Sequence, residues 1–222
     1  MQITYLGHSA FKLKGKAGTA VTDPYNSEAV GFRFPRVTAD LVTVSHAHSD
    51  HNATTNINPV AGKSKVFVVS KPGEYEVSGI SVFGVSTKHD DSEGSQRGDN
   101  NVFTILLDGL RICHLGDLGH ELTAKQVDAI GSVDVLLCPV GGEVTLDANQ
   151  AVKTIRQLEP SIVIPMHYKT ADHTTATFEK LDPVDVFLKA YGIEVQPVAN
   201  LEVLAGRLPE ETEIFVLVPA IG

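Results

Sequence analysis

The amino-acid sequence predicts a single α/β (α+β) domain over residues 1–222, in which helices cover β-sheets. The first half contains short apolar runs with many β-branched residues, which is typical of strands. The second half alternates strand-like and helix-like segments three times, which is typical of sheets covered by helices. No low-complexity segment, linker or internal repeat interrupts this pattern, so one domain accounts for the whole chain.

The strands of the first half are separated by residues that favour turns. Gly15 and Gly18 lie between the second and third runs, Asp23-Pro24 ends the third, and Lys71-Pro72-Gly73 separates the last two. Residues 27–36 show no period and are predicted to form a surface loop. The strands predicted in this half are residues 3–6, 10–13, 19–22, 41–44, 65–70 and 80–87.

The second half contains clear signals for a hairpin and three helices. Asp108-Gly109 joins two apolar runs as a tight hairpin turn. Thr123 and Asp147 each precede a glutamine by three residues, which is the spacing of a capping box at the start of a helix. Asp182-Pro183 is predicted to supply the cap and first residue of the third helix. The strands predicted here are residues 102–107, 110–115, 133–139, 161–165, 194–198, 202–204 and 214–219.

Composition excludes several classes of protein. Apolar residues make up 42% and charged residues 20%, as in ordinary globular proteins, and no apolar run is long enough to span a bilayer. The net charge of −9 argues against a nucleic-acid partner. Cys113 and Cys138 lie in apolar runs without C-x-x-C spacing, which favours buried free thiols. With no secretory signal pattern at the N-terminus, we expect a cytoplasmic protein with no membrane partner.

The densest group of polar residues follows the apolar run 41–44. His46, His48 and His51 are three of the nine histidines, and Asp50 lies among them. Residues two apart in an extended segment point to the same side, so His46 and His48 can bind one cation. Asp50 and His51 follow where the chain turns and can bind a second cation close by. This stretch therefore predicts a two-metal site.

Other candidate ligands stand at the end of, or just beyond, further apolar runs. In layered α/β folds, strand ends along one edge of a sheet are where sites are assembled from residues distant in sequence. The residues in such positions are His8, Asp23, His89, Asp117 and His167.

The motifs containing these residues resemble those of a known superfamily. In chain order they are Thr22-Asp23-Pro24, His46-x-His48-x-Asp50-His51, a lone His89, Leu115-Gly116-Asp117 and Pro165-Met166-His167. This series resembles the five motifs of the metallo-β-lactamase superfamily, and segments 5–9, 116–120 and 165–169 are similar to its small bacterial Zn-dependent hydrolases. The resemblance extends from residue 3 to about residue 191 and implies a four-layer αββα sandwich with a dinuclear metal site between the two sheets.

The resemblance also implies a ligand set with one bridging carboxylate. It places His46, His48 and His89 on the first metal, Asp50, His51 and His167 on the second, and Asp117 between the two. Neutral nitrogen and anionic oxygen ligands suit Zn²⁺, so we expect two zinc ions per chain, with Mn²⁺ or iron as the alternatives.

Several assignments near the site stay open at the level of sequence. His89 precedes Asp90 and Asp91, and either acid is an alternative ligand in its place. His8, in a Gly-His-Ser turn, is expected to contact the pocket or serve as an auxiliary metal ligand. Asp23 is expected to orient a ligand histidine rather than to bind metal.

The remaining histidines and one lysine are interpreted individually. His120 lies three residues past the Gly-Asp turn, where contact with substrate and a structural role before the helix are equally favoured. Lys169 is expected at the pocket, and His114 is expected in the core. His173 lies in a polar segment and is predicted to be exposed.

The predicted function is metal-dependent hydrolysis of a small ester, lactone or phosphoester. A water shared by two cations about 3.5–4 Å apart becomes acidic near neutral pH, and Asp50 is expected to accept its proton. His120, His8 or Lys169 is expected to stabilise the oxyanion or protonate the leaving group, and Lys88, Arg97 and Lys169 are candidates to bind a phosphate.

Two alternatives to this function stay open. A phosphodiesterase or nuclease is disfavoured by the acidic composition, and a non-catalytic metal-binding module of the same fold is disfavoured by the complete ligand motifs. The expected partner is a small-molecule substrate, and the sequence predicts no particular oligomeric state.

Overall fold

The protein, described here by a computed structural model over residues 1–220, contains two large β-sheets and four helices. The predicted domain boundary at residue 222 lies outside the described residues. The strands are β1 (Gln2–Gly7), β2 (Ala10–Lys14), β3 (Thr19–Thr22), β4 (Val37–Ala39), β5 (Leu41–Thr43), β6 (Ile57–Pro59), β7 (Phe67–Val69), β8 (Gly73–Val77), β9 (Ile80–Lys88), β10 (Asp99–Leu107), β11 (Leu110–His114), β12 (Val135–Pro139), β13 (Ile162–Met166), β14 (Leu201–Glu202) and β15 (Glu213–Ile214). The helices are α1 (Ser27–Val30), α2 (Ala124–Ile130), α3 (Ala148–Leu158) and α4 (Val184–Tyr191).

The two large sheets pack face to face. The first has the strand order β14-β1-β2-β3-β5-β7, and the second has the order β15-β13-β12-β11-β10-β9-β8. Successive residues of a strand point to opposite faces, so Leu41 and Val42 enter two different hydrophobic clusters. The larger cluster lies between the sheets and extends under the helices of the second sheet, and the smaller one covers the outer face of the first sheet. Both faces of the central strands of each sheet are therefore buried, whereas the edge strands β7 and β8 are largely exposed.

Helices form most of the outer layer on the second sheet. Helix α2 contacts β9, α3 contacts β12, and α4 packs on α3. On the first sheet the outer layer consists of the short helix α1, the two-stranded sheet β4-β6 and irregular segments. This arrangement confirms the predicted αββα sandwich, with one outer layer much poorer in helix than the other. No helix within residues 1–220 has the length and apolarity that a bilayer-spanning segment needs.

The direction of the strands explains why the polar residues meet. In the first sheet β1, β3 and β5 run in the same direction, because β1 and β3 are each antiparallel to β2 and β3 is parallel to β5. In the second sheet β9, β11 and β13 also share one direction. The carboxyl ends of these six strands lie at one edge of the sandwich, which is where the candidate ligands follow them in sequence.

The capping boxes at Thr123 and Asp147 are both present, and helices α2 and α3 begin where the sequence predicts. The third helix differs, because the extended Pro183 is itself the N-cap residue and no side chain caps the helix.

Several other segments also differ from the prediction. Strands β4 and β6 form where no strand is predicted, and of the strand predicted at residues 214–219 only β15 is present among the described residues. Helix α1 forms inside the predicted loop, since Asn26 caps it and a four-residue helix is too short to show a period. Strand β8 begins at the predicted break at Gly73, and residues 194–198 form no named strand in the described part of the chain.

Candidate metal centre

Asp117, just past β11, lies at the centre of a cluster of four histidines. Its Oδ2 atom is 3.8 Å from Nε2 of His46, 3.2 Å from Nε2 of His51, 3.3 Å from Nε2 of His89 and 3.3 Å from Nε2 of His167. These histidines follow β5, β9 and β13, so three strand ends from two sheets contribute them. All five side chains are buried.

Two further candidate ligands complete two groups of donor atoms. Nδ1 of His48 lies 2.9 Å from Nε2 of His46, and Oδ2 of Asp50 lies 3.3 Å from Nε2 of His51. His46, His48 and His89 form one group whose ligand atoms lie within 4.8 Å of one another, and His8, Asp50, His51 and His167 form another. The structure thus brings together all seven residues that the resemblance implies as ligands.

The residues present fit divalent cations. Among the described residues, Nε2 of His51, Nε2 of His167 and Oδ1 of Asp117 are buried without a hydrogen-bond partner. Such atoms are rare in native proteins, and each costs free energy unless a water or ion binds it. Ligand atoms about 2.0–2.2 Å from one zinc ion are about 3–3.6 Å apart, which is close to the spacings observed around Asp117 and His46.

The electrostatics of the cluster also favour bound positive charge. Burial would raise the pKa of Asp117, but the neighbouring His167 and His51 hold it well below its ordinary value. Burial would lower the pKa of His51, but Asp117 and Asp50 raise it well above its ordinary value. Both effects favour positive charge beside these carboxylates.

Asp23, at the end of β3, orients two of the histidines. Its carboxylate accepts hydrogen bonds from His51 Nδ1 at 2.9 Å, from Ser45 Oγ at 2.5 Å and from the Ser45 amide at 2.8 Å. Because a carboxylate only accepts, Nδ1 of His51 carries a proton. Since the Ser45 hydroxyl donates its proton to Asp23, its oxygen accepts from Nδ1 of His46 at 2.8 Å. The Nε2 atom of His46 is therefore unprotonated and available to a metal, and Nε2 of His51 is the atom that faces Asp117.

A buried asparagine that the sequence reasoning missed fixes the backbone of Asp117. Asn100 Oδ1 accepts from the Asp117 amide at 3.0 Å, and its Nδ2 donates to the Leu115 carbonyl at 2.9 Å. Gly116 between them has a φ of +57°, and an added Cβ would collide with Asn100 and Ser45. The only sequence signal for Asn100 is its place at the end of the polar segment before an apolar run.

The loop after β9 settles which side chain faces Asp117. Asp90 turns away from the centre and accepts four backbone hydrogen bonds within its own loop. Burial would raise the pKa of Asp90, but these bonds lower it to about 2. Asp91 is exposed, so His89 is the residue of this segment that lies beside Asp117. The four donors are the amides of Ser92, Gly94, Gln96 and Arg97.

His8 and His173 lie together behind Asp50. Nε2 of the fully buried His8 is 3.1 Å from Oδ2 of Asp50, and Nδ1 of His8 is 3.3 Å from Nε2 of His173. Burial and the neighbouring His167 lower the pKa of His8 to about 4, and burial and His8 lower that of His173 to about 3. The prediction that His173 is exposed is wrong, because its side chain is only 5% accessible and packs against Phe32 and Phe178.

Other residues singled out in the sequence make their hydrogen bonds outside the cluster. His120 hydrogen-bonds with both ring nitrogens to backbone groups, those of Glu121 and Lys88, and does not line the cavity described below. Lys169 donates to the carbonyl of His173 at 3.4 Å. His114, as expected for a core residue, is fully buried, with Nε2 2.8 Å from the Ser9 carbonyl.

Two cavities adjoin the cluster. The first, called the metal cavity here, has a volume of about 400 Å³, and its lining includes Asp50, His89 and Asp117. The second, called the side cavity, has a volume of about 550 Å³, and its lining includes Lys71 and Asp99. Both are lined by the same three residues, Ala47, His48 and Arg97, so they adjoin at this point.

Comparisons with known proteins identify related chains. Residues 2–167 match the family model described as the β-lactamase superfamily domain. A metal-dependent hydrolase of Pyrococcus abyssi is 30% identical over an alignment that covers 91% of this chain and 99% of the relative. A metal-dependent hydrolase of Carboxydothermus hydrogenoformans is 31% identical over 77% of this chain and 85% of the relative. A solved structure from Thermotoga maritima, provisionally described as a Zn-dependent hydrolase of the metallo-β-lactamase superfamily, is 38% identical, has a TM-score of 0.79 and covers 97% of both chains.

Proposed function

The chain belongs to the β-lactamase superfamily and is a metal-dependent hydrolase; we propose that it uses two divalent cations to hydrolyse a small ester, lactone or phosphoester. The observation that carries this proposal is the arrangement of four histidine Nε2 atoms around one carboxylate oxygen of Asp117. A cytoplasmic location stays a prediction, and the two free, buried cysteines are compatible with it.

The proposed ligand sets follow the two groups of donor atoms. His46, His48 and His89 would hold one cation through Nε2, Nδ1 and Nε2, the atoms that face one another or Asp117. Asp50, His51 and His167 would hold the other, and Asp117 would contact both. Imidazole and carboxylate ligands suit zinc best, with manganese or iron as the alternatives.

A pair of bound cations supplies a Lewis acid for the substrate oxygen and makes a shared water acidic enough to ionise near neutral pH. The contribution of the protein is to place a proton acceptor and to limit access of solvent. Asp50 lines the metal cavity, and its side chain is 17% accessible, so its carboxylate can accept a proton from a water there. Burial would raise the pKa of Asp50, but contacts with His51 and His8 hold it far below its ordinary value, so the carboxylate is free of its own proton at neutral pH.

The cavities support a substrate with an anionic portion. Of the three cations that the sequence suggests for a phosphate, only Arg97 lines both cavities. Lys88 instead pairs with Asp99 at 2.6 Å, and Lys169 contacts His173. Arg97 forms none of the ion pairs found among residues 1–220, so its guanidinium is available to a carboxylate or phosphate of the substrate.

The first test combines metal analysis with a screen for hydrolysis. Purified protein, stripped and reloaded with zinc, is expected to bind two equivalents per chain and to hydrolyse at least one of a set of lactones, phosphodiesters, thioesters and β-lactams. Asp50→Asn is expected to lower the rate by about 10²-fold or more, because a positioned general base contributes at least that much. The exposed Asp91→Asn is the matched control and should keep the wild-type rate. Wild-type activity of Asp50→Asn, or less than one tightly bound equivalent in the wild type, contradicts the proposal.

A second test concerns the charge of the substrate. Arg97→Met is expected to raise the KM of an anionic substrate by about 10-fold or more, since a charge-assisted hydrogen bond contributes about 1.5–3 kcal/mol. The KM of a neutral analogue should not change, and Lys88→Met, which removes a cation already paired with Asp99, should affect neither substrate. Equal effects of Arg97→Met on charged and neutral substrates would exclude this role.

A further inference from the structure

A chain of hydrogen bonds links the carboxylate of Asp50 to the loop that follows β13. Asp50 Oδ2 contacts Nε2 of His8 at 3.1 Å, and Nδ1 of His8 contacts Nε2 of His173 at 3.3 Å. The other nitrogen of His173, Nδ1, lies 3.1 Å from the amide nitrogen of Thr170 and 2.9 Å from its hydroxyl. Both rings of the chain are buried, so water does not compete for these bonds.

The two ends of this chain determine the position of every proton in it. The Thr170 amide can only donate, so Nδ1 of His173 accepts and the proton of its neutral ring is on Nε2. Nε2 of His173 therefore donates to Nδ1 of His8, which places the proton of His8 on its own Nε2. That proton points at the Asp50 carboxylate, which can only accept. The bonds that join the Thr170 amide, His173, His8 and Asp50 are all satisfied in this one direction and in no other arrangement of neutral rings.

The surroundings hold the chain in place. The Tyr5 hydroxyl and the His167 amide both donate to the carbonyl of His8, at 2.7 and 2.9 Å. His8 has a φ of +55°, a left-handed conformation that few residues other than glycine adopt, although histidine is among those that adopt it more often. The aromatic ring of Phe178 packs against both histidines, at centroid distances of 4.7 Å from His8 and 5.5 Å from His173. These contacts from the backbone and from Phe178 fix both the main chain and the ring of His8.

We propose that His8 and His173 are positioning residues, which together fix the orientation of the Asp50 carboxylate and keep a proton on Nε2 of His8. Although Nε2 of His8 lies among the donor atoms of the second group, the proton excludes it from metal coordination. The importance of this device to activity rests on the proposed role of Asp50. The assignment of the tautomers does not depend on that role, and it can be measured without substrate or turnover.

The direct test is nuclear magnetic resonance of ¹⁵N-histidine-labelled protein, in which two-bond couplings distinguish protonation at Nδ1 from protonation at Nε2. His8 and His173 should both carry their proton on Nε2, in the metal-free protein and after addition of zinc alone. A His8 that is protonated on Nδ1, or that changes to Nδ1 protonation when zinc binds, would be a metal ligand and would overturn the proposal. A protein that binds no zinc but shows both Nε2 protons would contradict the metal proposal and leave this one standing.

Two substitutions of His173 separate positioning from packing. His173→Gln retains an N–H donor that can reach His8, whereas His173→Leu fills similar space without one. Loss of such an outer hydrogen bond typically costs about 10- to 100-fold in metal affinity, so His173→Leu should weaken zinc binding by that factor and His173→Gln by much less. Zinc affinity is measured by competition with a chromophoric chelator, and folding is checked by circular dichroism. Equal losses of zinc affinity in the two variants, or wild-type zinc affinity in a folded His173→Leu, would refute a role for the N–H donor. If a variant fails to fold, the tautomers of the wild-type protein still test the proposal.

Discussion

The substitution Asp23→Asn is expected to weaken both the fold of the metal-free protein and its binding of metal. Oδ2 of Asp23 accepts from Ser45 Oγ and His51 Nδ1, and an asparagine that retains the bond to the Ser45 amide places its NH₂ group there instead. Two charge-assisted bonds worth about 1.5–3 kcal/mol each are then lost, or about 3–6 kcal/mol in total. Rotation of the Ser45 hydroxyl and a change of tautomer at His51 recover part of this, so we expect the metal-free protein to lose about 1–3 kcal/mol of unfolding free energy.

The change of tautomer has a second consequence, because it moves the proton of His51 to Nε2, the atom that faces Asp117. Zinc affinity should therefore fall by about 10- to 100-fold. Chelator competition gives the affinity, and urea unfolding of the metal-free protein gives the stability. Asp91→Asn makes the same chemical change on an exposed residue and should alter neither quantity. Wild-type zinc affinity in a folded Asp23→Asn would refute the reasoning about tautomers.

Two further predictions concern the support of the site and of the fold. Gly119→Ala should lower zinc affinity by about 10-fold or more, because an added Cβ would collide with the carbonyl of His89, whereas Gly206→Ala, which meets no atom within 4 Å, should leave it unchanged. Asp40→Asn should lower the free energy of unfolding by about 1 kcal/mol at pH 7, since it weakens the 2.8 Å bond from the Thr19 amide to a carboxylate. Burial would raise the pKa of Asp40, but Lys63 and that amide lower it in the folded state. The contribution of the Asp40 carboxylate to the free energy of unfolding is therefore present above about pH 4 and is lost as the pH falls further. Urea unfolding at pH 7 and below pH 4 checks this, and an equal difference at both pH values would contradict it.

The sequence predicted the architecture and the grouping of candidate ligands because both depend on local patterns. Alternating or continuous runs of apolar residues identify strands. Asp117 and His167 stand out because they are polar residues just past the end of such a run. The direction of the strands then brings those exits to one edge, which the αββα resemblance implied in advance. The capping boxes were predictable for the same reason, since both partners lie within four residues.

Features that depend on tertiary packing were not predictable. His173 lies in a polar segment with no apolar period. It is buried by Phe32, which is distant in sequence, and by Phe178, which lies in the same irregular segment after β13. Asn100 is one of many polar residues in its segment, and only the approach of Gly116 and Asp117 shows that it holds the backbone there. In each case the deciding contact is made in the folded chain, and no local pattern indicates it.

The most direct test of the two-cation centre is anomalous X-ray diffraction, at the zinc absorption edge, from crystals of the reloaded protein. The proposed centre predicts two peaks, separated by about 3.5–4 Å, each close to the Asp117 carboxylate. One peak should contact His46, His48 and His89, and the other should contact Asp50, His51 and His167, with His8 bonded to neither. A single peak at full zinc loading, or a peak bonded to Nε2 of His8, would contradict the account.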